Sequence, residues 1–282
     1  MATTPDLGRY GIWHGRVDLT PEIAQETERA GFGALWIGGS PPADLELAES
    51  LIAATDHLVV ATGIVNMWTA DPHELAASYH RIEERHPGRF VLGVGIGHPE
   101  AIKEYRSPYQ TIVQYLDTLD AEGVPKEHLA LAALGPKVLA LAAERTGVVH
   151  PYLVPAEYTR AAHEQVGGRV VLAPEHKVVI ETDVATARAI GRSRVATPYL
   201  RLRNYVSNLK RLGWSDSDIA NDGSDALVDA LVAHGDAAAA AAGLTAHLDA
   251  GADHVCAQVL VDDKADYLPA LRELAAALGL KG

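Results

Sequence analysis

The chain has 282 residues, 48% apolar and 22% charged, the balance of a soluble globular protein with a sizeable core rather than a disordered chain. A formal charge of −13 repels phosphate backbones and argues against nucleic-acid binding, though a local nest of backbone N–H groups still admits a phosphorylated cofactor. A single cysteine, Cys256, excludes an internal disulfide or a cysteine-rich metal site, and the lack of a signal core or an apolar run near the ~18 residues of a membrane helix leads us to expect a cytoplasmic protein.

Short apolar runs alternate with helix-like stretches. The first run is 10–13. Thr20 and Pro21 then supply an N-cap and a proline at the first helical position, opening a helix that stops at Gly31. A second run, 34–37, precedes a helix over about 44–54. The third run, 58–65, is β-branched, and Asp71-Pro72 opens a helix reaching about Arg85. The fourth run, 90–95, leads into Gly93, Gly95 and Gly97, followed by a helix over 108–122 with Ile112, Tyr115, Leu116 and Leu119 on one face. The fifth run, 129–134, meets Gly135-Pro136-Lys137 and a helix to Arg145. The sixth run is 148–153, with a helix over about 156–166. The seventh is a long stretch, 169–182, with a helix over about 184–193. An irregular segment from about 197 to 234 reads as a helical insertion. An alanine-rich helix over 236–250, an eighth run at 254–260 and a closing helix over about 267–278 complete the pattern.

Eight strands alternating with helices imply a parallel sheet, and this length favours closure into an α/β (β/α)8 TIM barrel, a single domain spanning 1–282 with a helical insertion between strands 7 and 8. In such a barrel the chemistry gathers at the C-terminal strand ends. Four features fall there. Ala133, Leu134, Gly135, Pro136 and Lys137 form a strand-to-helix turn whose free N–H groups suit an anion. The glycines 93, 95 and 97 remove side chains from a strand end and suit a flat ring, but they do not make a dinucleotide fingerprint. Gly63, Ile64, Val65 and Asn66 end the third strand, where a bulge fits. His14, His98 and His150 follow strands one, four and six, where a neutral imidazole can exchange protons near pH 7. No His-x-x-x-His pair or carboxylate cluster accompanies these histidines, so no metal is expected. An ordinary strand-to-helix turn, a tight barrel bend and hydrogen-bonded loop histidines are the structural alternatives. Asp56-His57 falls on the opposite rim and reads as structural.

Several stretches resemble luciferase-like monooxygenases and, within them, coenzyme F420-dependent oxidoreductases of actinobacterial type. They are residues 31–39 (GFGALWIGG), 61–66 (ATGIVN), 88–95 (GRFVLGVG), 131–137 (LAALGPK) running on to 147–154 (GVVHPYLV), 199–200 (YL), 204–205 (NY), 212–214 (LGW) and 250–255 (AGADHV). The resemblance extends nearly end to end and rests on order and spacing rather than on one motif. It implies a bacterial luciferase-like barrel with a cofactor ring at an open C-terminal mouth, F420 or alternatively FMN, and a homodimer acting on a small-molecule substrate. It also implies a non-prolyl cis peptide backing the ring at Gly63–Ile64, with Gly95 nearby. The turn from Ala133 to Lys137 would hold the phosphate or ribityl chain, and His150 and Tyr152 would lie near the tail or mouth. Sugar-phosphate dehydrogenases of this family carry an Asp-His pair after the second strand and a Glu after the fourth-strand glycines. Here those places read Gly39-Ser40 and His98, which argues against that reaction and leaves His98, His14 and Ser40 as catalytic candidates. Hydride transfer with F420, an FMN monooxygenase and a non-catalytic ligand-binding barrel are the competing readings. An aldolase would need a strand lysine; Lys177 is the one candidate, with no partner evident in the sequence.

Overall fold

The computed structural model describes residues 2–97 and 107–282. Along the chain run β1 (Tyr10–Gly15), α1 (Pro21–Arg29), β2 (Ala34–Gly38), α2 (Glu46–Ala53), β3 (Val59–Thr62), β4 (Val65–Asn66), α3 (Pro72–Arg85), β5 (Phe90–Gly95), α4 (Pro108–Ala121), β6 (Leu129–Leu131), α5 (Pro136–Arg145), β7 (Val148–Val149), α6 (Ala156–Val166), β8 (Val171–Leu172) and β9 (Glu175–Ile180). Then follow α7 (Val184–Ala196), α8 (Arg203–Arg211), α9 (Asp216–Ile219), α10 (Asp225–Leu231), β10 (Val232–Gly235), α11 (Ala237–Asp249), β11 (Val255–Val259) and α12 (Tyr267–Ala277).

All strand pairs named in the sheet are parallel, in the order β10-β9-β11-β1-β2-β3-β5-β6-β7-β8. Because β8 runs on into β9 after two residues, the pairing of β7 with β8 and of β9 with β11 closes the sheet on itself. The helix starts follow the capping chemistry: the Thr20 and Asp71 side chains accept from backbone N–H groups at the starts of α1 and α3, with Pro21 and Pro72 at the first positions. Strand residues alternate between two cores. One set packs outward against the helices and includes Ile12, Leu35, Ile37, Val60, Leu92 and Val94. The other fills the barrel and includes Trp13, Ala34, Trp36, Ala61, Val91, Ala130, Val148, Ala173 and Cys256. The barrel is thus a packed core and not a pore.

Three details depart from the sequence reading. The third barrel strand is not one run over 58–65 but β3 and β4, broken between them. The seventh breaks at Ala173-Pro174 into β8 and β9. The stretch over 197–234 holds α8, α9 and α10 as expected of a helical segment, but it ends in a strand, β10, which adds to β9 in parallel register. A separate cluster of Leu200, Leu202, Tyr205, Leu209, Leu227 and Val228 packs this segment together with Leu153 and Val179. On the opposite rim, the Glu28 carboxylate accepts from the backbone N–H groups of Asp56, His57 and Leu58, a structural clamp.

Candidate functional site

The break in the third strand is a β-bulge at the C-terminal end of the barrel. Ala61 pairs with Val91 and Val65 with Val94, so β3 to β4 spends one residue more than β5 over the same span. The peptide Gly63–Ile64 in this stretch is cis. Where the ladder opens, the Thr62 hydroxyl takes the place of the missing backbone partner. It donates to Gly93 O at 2.7 Å and accepts from Gly93 N at 2.8 Å. Glycine is needed opposite: a methyl group built on Gly93 would lie 1.7 Å from Thr62 O.

Two unlike walls face each other above this bulge. On the β3–β6 side the inward positions are small, Gly63, Gly93, Gly95 and Ala132. Gly63, Ile64 and Ala132 keep part of their surface exposed, and the Ile64 side chain lies over Gly95, 3.0 Å from where a Gly95 methyl would sit. On the other side the inward positions are large. Trp13 lies across Gly38, whose methyl would meet its ring at 1.9 Å, and its Nε1 donates to Gly63 O at 3.2 Å. Tyr152 packs on Trp13 at 5.3 Å between centroids and on Tyr199 at 5.2 Å, and Tyr205 packs edge-on to both tyrosines. The expected open mouth is therefore open on its glycine side and filled by aromatic rings on the other.

Beneath the rings lies a buried ion pair. Lys177 Nζ is 3.0 Å from Glu175 Oε1 and 4.2 Å from the Tyr152 ring centroid, with side chains 1% and 0% exposed. Glu175 also accepts from Leu153 N. Lys177 thus has a partner that the sequence did not disclose. Burial pushes its pKa down, and the Glu175 carboxylate opposes that shift. Deeper still, His150 stacks on Trp36 at 4.2 Å, and Trp36 Nε1 donates to His254 Nε2. The His150 Nδ1 faces Ala173 O at 2.8 Å and so carries the proton. Burial lowers the pKa of His150 and of His254 to about 4 each, so both are neutral.

The strand-to-helix turn lies on the small-residue side. Gly135 caps α5 without a side-chain cap, leaving the first N–H groups of the helix without intrahelical partners. A methyl on Gly135 would meet nothing within 4 Å, and Pro136 and Lys137 are exposed. The Tyr158 hydroxyl holds the carbonyls of Ala133 and Leu134 at 3.1 and 3.0 Å. Burial raises the Tyr158 pKa, and Arg211 of α8 is near enough to oppose it.

The structure thus gathers Gly63, Ile64, Val65, Asn66 and Gly95 at the bulge, with His150 and Tyr152 on strand six and the Ala133–Lys137 turn beside it. His150 is buried inside the barrel, with its Nε2 3.2 Å from where a Gly63 methyl would sit. Asn66 turns its Oδ1 to Trp68 N. His14 is not brought to this group: Trp13 takes the inward place, and His14 turns to Gly15 O and lies edge-on to Tyr267, with its pKa lowered by burial. Ser40 is exposed on the neighbouring loop at φ 52°. His98 lies outside the described residues. Sequence reasoning missed Trp13, Glu175, Tyr199 and Gln258. Inward parity along β1, β9 and β11 was the signal for three of them; for Tyr199, on the inserted segment, the family resemblance at 199–200 was the one signal. Among the described residues no three His, Cys, Asp or Glu side chains group to hold a metal ion, and no helix is long and apolar enough to cross a membrane.

Solved structures share this architecture at low identity. One is an F420-dependent secondary alcohol dehydrogenase in complex with an F420-acetone adduct, at 14% identity over 98% of this chain and 99% of that one, with a TM-score of 0.73. A coenzyme F420-dependent tetrahydromethanopterin reductase from Methanopyrus kandleri matches at 14% over 99% and 100%, TM-score 0.71. The FMN-bound oxygenating constituent of 3,6-diketocamphane monooxygenase from Pseudomonas putida matches at 14% over 96% and 98%, TM-score 0.70. No curated protein matches the sequence. Residues 4–254 match the luciferase-like monooxygenase family. This match, over most of a chain that folds as a closed parallel barrel, establishes that the chain belongs to that family.

Proposed function

We propose that the protein is an oxidoreductase that binds coenzyme F420 at the small-residue side of the barrel mouth and exchanges a hydride with a small organic substrate. The observation that carries this reading is the bulge at Gly63–Ile64, set beside Gly95 and Ala132. Among the described residues the inward positions of that wall are glycine and alanine, with Ile64 lying over Gly95, and Gly63, Ile64 and Ala132 remain partly exposed, which fits a flat ring laid against backbone. The α5 N-terminus from Gly135 to Lys137 fits an anionic chain, because its N–H groups and its dipole both favour negative charge. When bound, the deazaflavin supplies or receives the hydride. The chain itself contributes the backing surface at Ile64, the anion cradle at Gly135 and the aromatic wall of Trp13, Tyr152 and Tyr199 that keeps water from the reacting face.

FMN is the second reading, favoured by the FMN-bound neighbour; the small-residue wall accepts either tricyclic ring. A non-catalytic barrel would keep the same cradle without turnover. Fluorescence titration of the purified protein with F420 and, separately, FMN tests the proposal. Micromolar F420 binding that Gly135→Val or Gly95→Val weakens at least tenfold is expected. Binding of FMN alone would replace the cofactor assignment, and binding of neither would refute the site. A cytoplasmic homodimer completes the proposal, checked by sedimentation and by fractionation of the native host.

A further inference from the structure

The aromatic side of the mouth contains the Gln258 carboxamide, and its surroundings determine which way it faces. The Tyr199 hydroxyl donates to the Tyr152 oxygen at 2.9 Å, and the Tyr152 hydroxyl donates to Gln258 Oε1 at 3.0 Å. A phenol has one proton, so Tyr152 commits its proton to the amide oxygen. With Oε1 so engaged, the two Nε2 protons point the other way. Among the described residues none accepts from Nε2, and Gln258 is half-buried rather than sealed. On β11 it is in register with Lys177 and stands one position past the Ile12–Ala257 pair, beside Trp13. Cys256, two residues earlier, faces the barrel interior, and Gln258 shares that face.

We infer that Gln258 Nε2 donates a hydrogen bond to a carbonyl oxygen held in the mouth, with Tyr152 and Tyr199 as positioning residues. This rests on the reading of the mouth as the cofactor and substrate site. The Lys177 charge is already matched by Glu175 at 3.0 Å, so Lys177 leaves no unmatched charge for a carboxylate. A neutral donor beside a neutralised pair selects a neutral acceptor. A ring carbonyl of a flavin-type cofactor and a ketone substrate both supply one.

Infrared difference spectra distinguish these sources. The wild-type protein is loaded with F420 or FMN carrying 13C at the ring carbonyls, and in a second arm with unlabelled cofactor and carbonyl-13C acetone. One labelled band should lie lower in wild type than in Gln258→Met. Tyr152→Phe should shift that band part of the way back, because the amide keeps its donor but loses its fixed orientation. Tyr199→Phe, a change at the half-exposed rim, should do the same and serves if Gln258→Met does not fold. A shift in the first arm assigns the cofactor carbonyl and a shift in the second assigns the substrate. Bound cofactor with identical carbonyl bands in wild type and variants, in both arms, overturns the inference alone. Failure of wild type to bind either cofactor removes the underlying reading and the inference with it.

Discussion

Replacing Thr62 by Val tests the account of the bulge most directly. The two side chains have nearly the same shape, so packing changes little, while the hydroxyl that serves both Gly93 N and Gly93 O is lost. Thr62 and Gly93 are buried, so water cannot replace it. Each buried backbone group left unpaired costs about 1–3 kcal/mol, which gives a loss of about 2–6 kcal/mol for Thr62→Val, where two are left. For a chain of 282 residues, an unfolding entropy of ~2 cal/mol/K per residue makes that a fall in Tm of about 4–11 °C. Thr62→Ser keeps the hydroxyl and should retain most of the stability. Differential scanning fluorimetry of the three proteins, followed by urea unfolding, measures this. If Thr62→Val melts within 1 °C of wild type, or if Thr62→Ser loses as much as Thr62→Val, the hydroxyl does not bridge the open ladder.

Acid should unfold the protein early. Burial lowers His150, His176 and His254 to about 4, and His247 further. Unfolded histidines titrate near 6.5, so the unfolded chain binds more protons between pH 6.5 and 4. Stability is full above 6.5 and falls by about 3 kcal/mol for each of His150, His176 and His254 through that window, with His247 acting in the same direction. With a total of about 5–15 kcal/mol, the midpoint by circular dichroism should lie above pH 4, and a cooperative native melt at pH 3.5 would contradict it. Lys177→Met leaves the Glu175 carboxylate buried without its partner and should cost about 3–5 kcal/mol, with Lys177→Met/Glu175→Gln recovering most of it because Leu153 N keeps an acceptor; equal losses in single and double variants would show the pair is not coupled. Cys256 is sealed inside the barrel, and burial raises its thiol pKa. An aromatic disulfide reagent should therefore react only with unfolded protein, and reaction at the rate of a free thiol under native conditions would contradict that burial.

Most of the fold was legible because its signals are local. Pro21, Pro72, Pro108 and Pro136 each open a helix where the capping pattern puts them, and the apolar runs mark every barrel strand. The turn at Gly135 and the stretch from Gly63 to Asn66 also stood out, because glycine next to β-branched residues or before proline is chemistry the backbone imposes within a few residues. The break of β8 from β9 and the strand β10 were not legible, since 169–182 reads as one β-rich run and the pairing of β10 comes from a strand more than fifty residues earlier.

What the sequence could not decide is which side chain faces inward and what it meets. Lys177 and Glu175 are two residues apart and share a face by strand parity, yet their burial depends on Tyr152 and Tyr199 folding over them from strand six and the inserted segment. His14 and Trp13 are adjacent, and only the barrel's closure determines that Trp13 enters the mouth while His14 meets Tyr267. Local propensity acts over a few bonds, whereas the site is assembled from strand ends brought together only when the sheet closes. The sequence therefore specified the barrel and its glycine wall, and the tertiary structure decided the aromatic wall opposite.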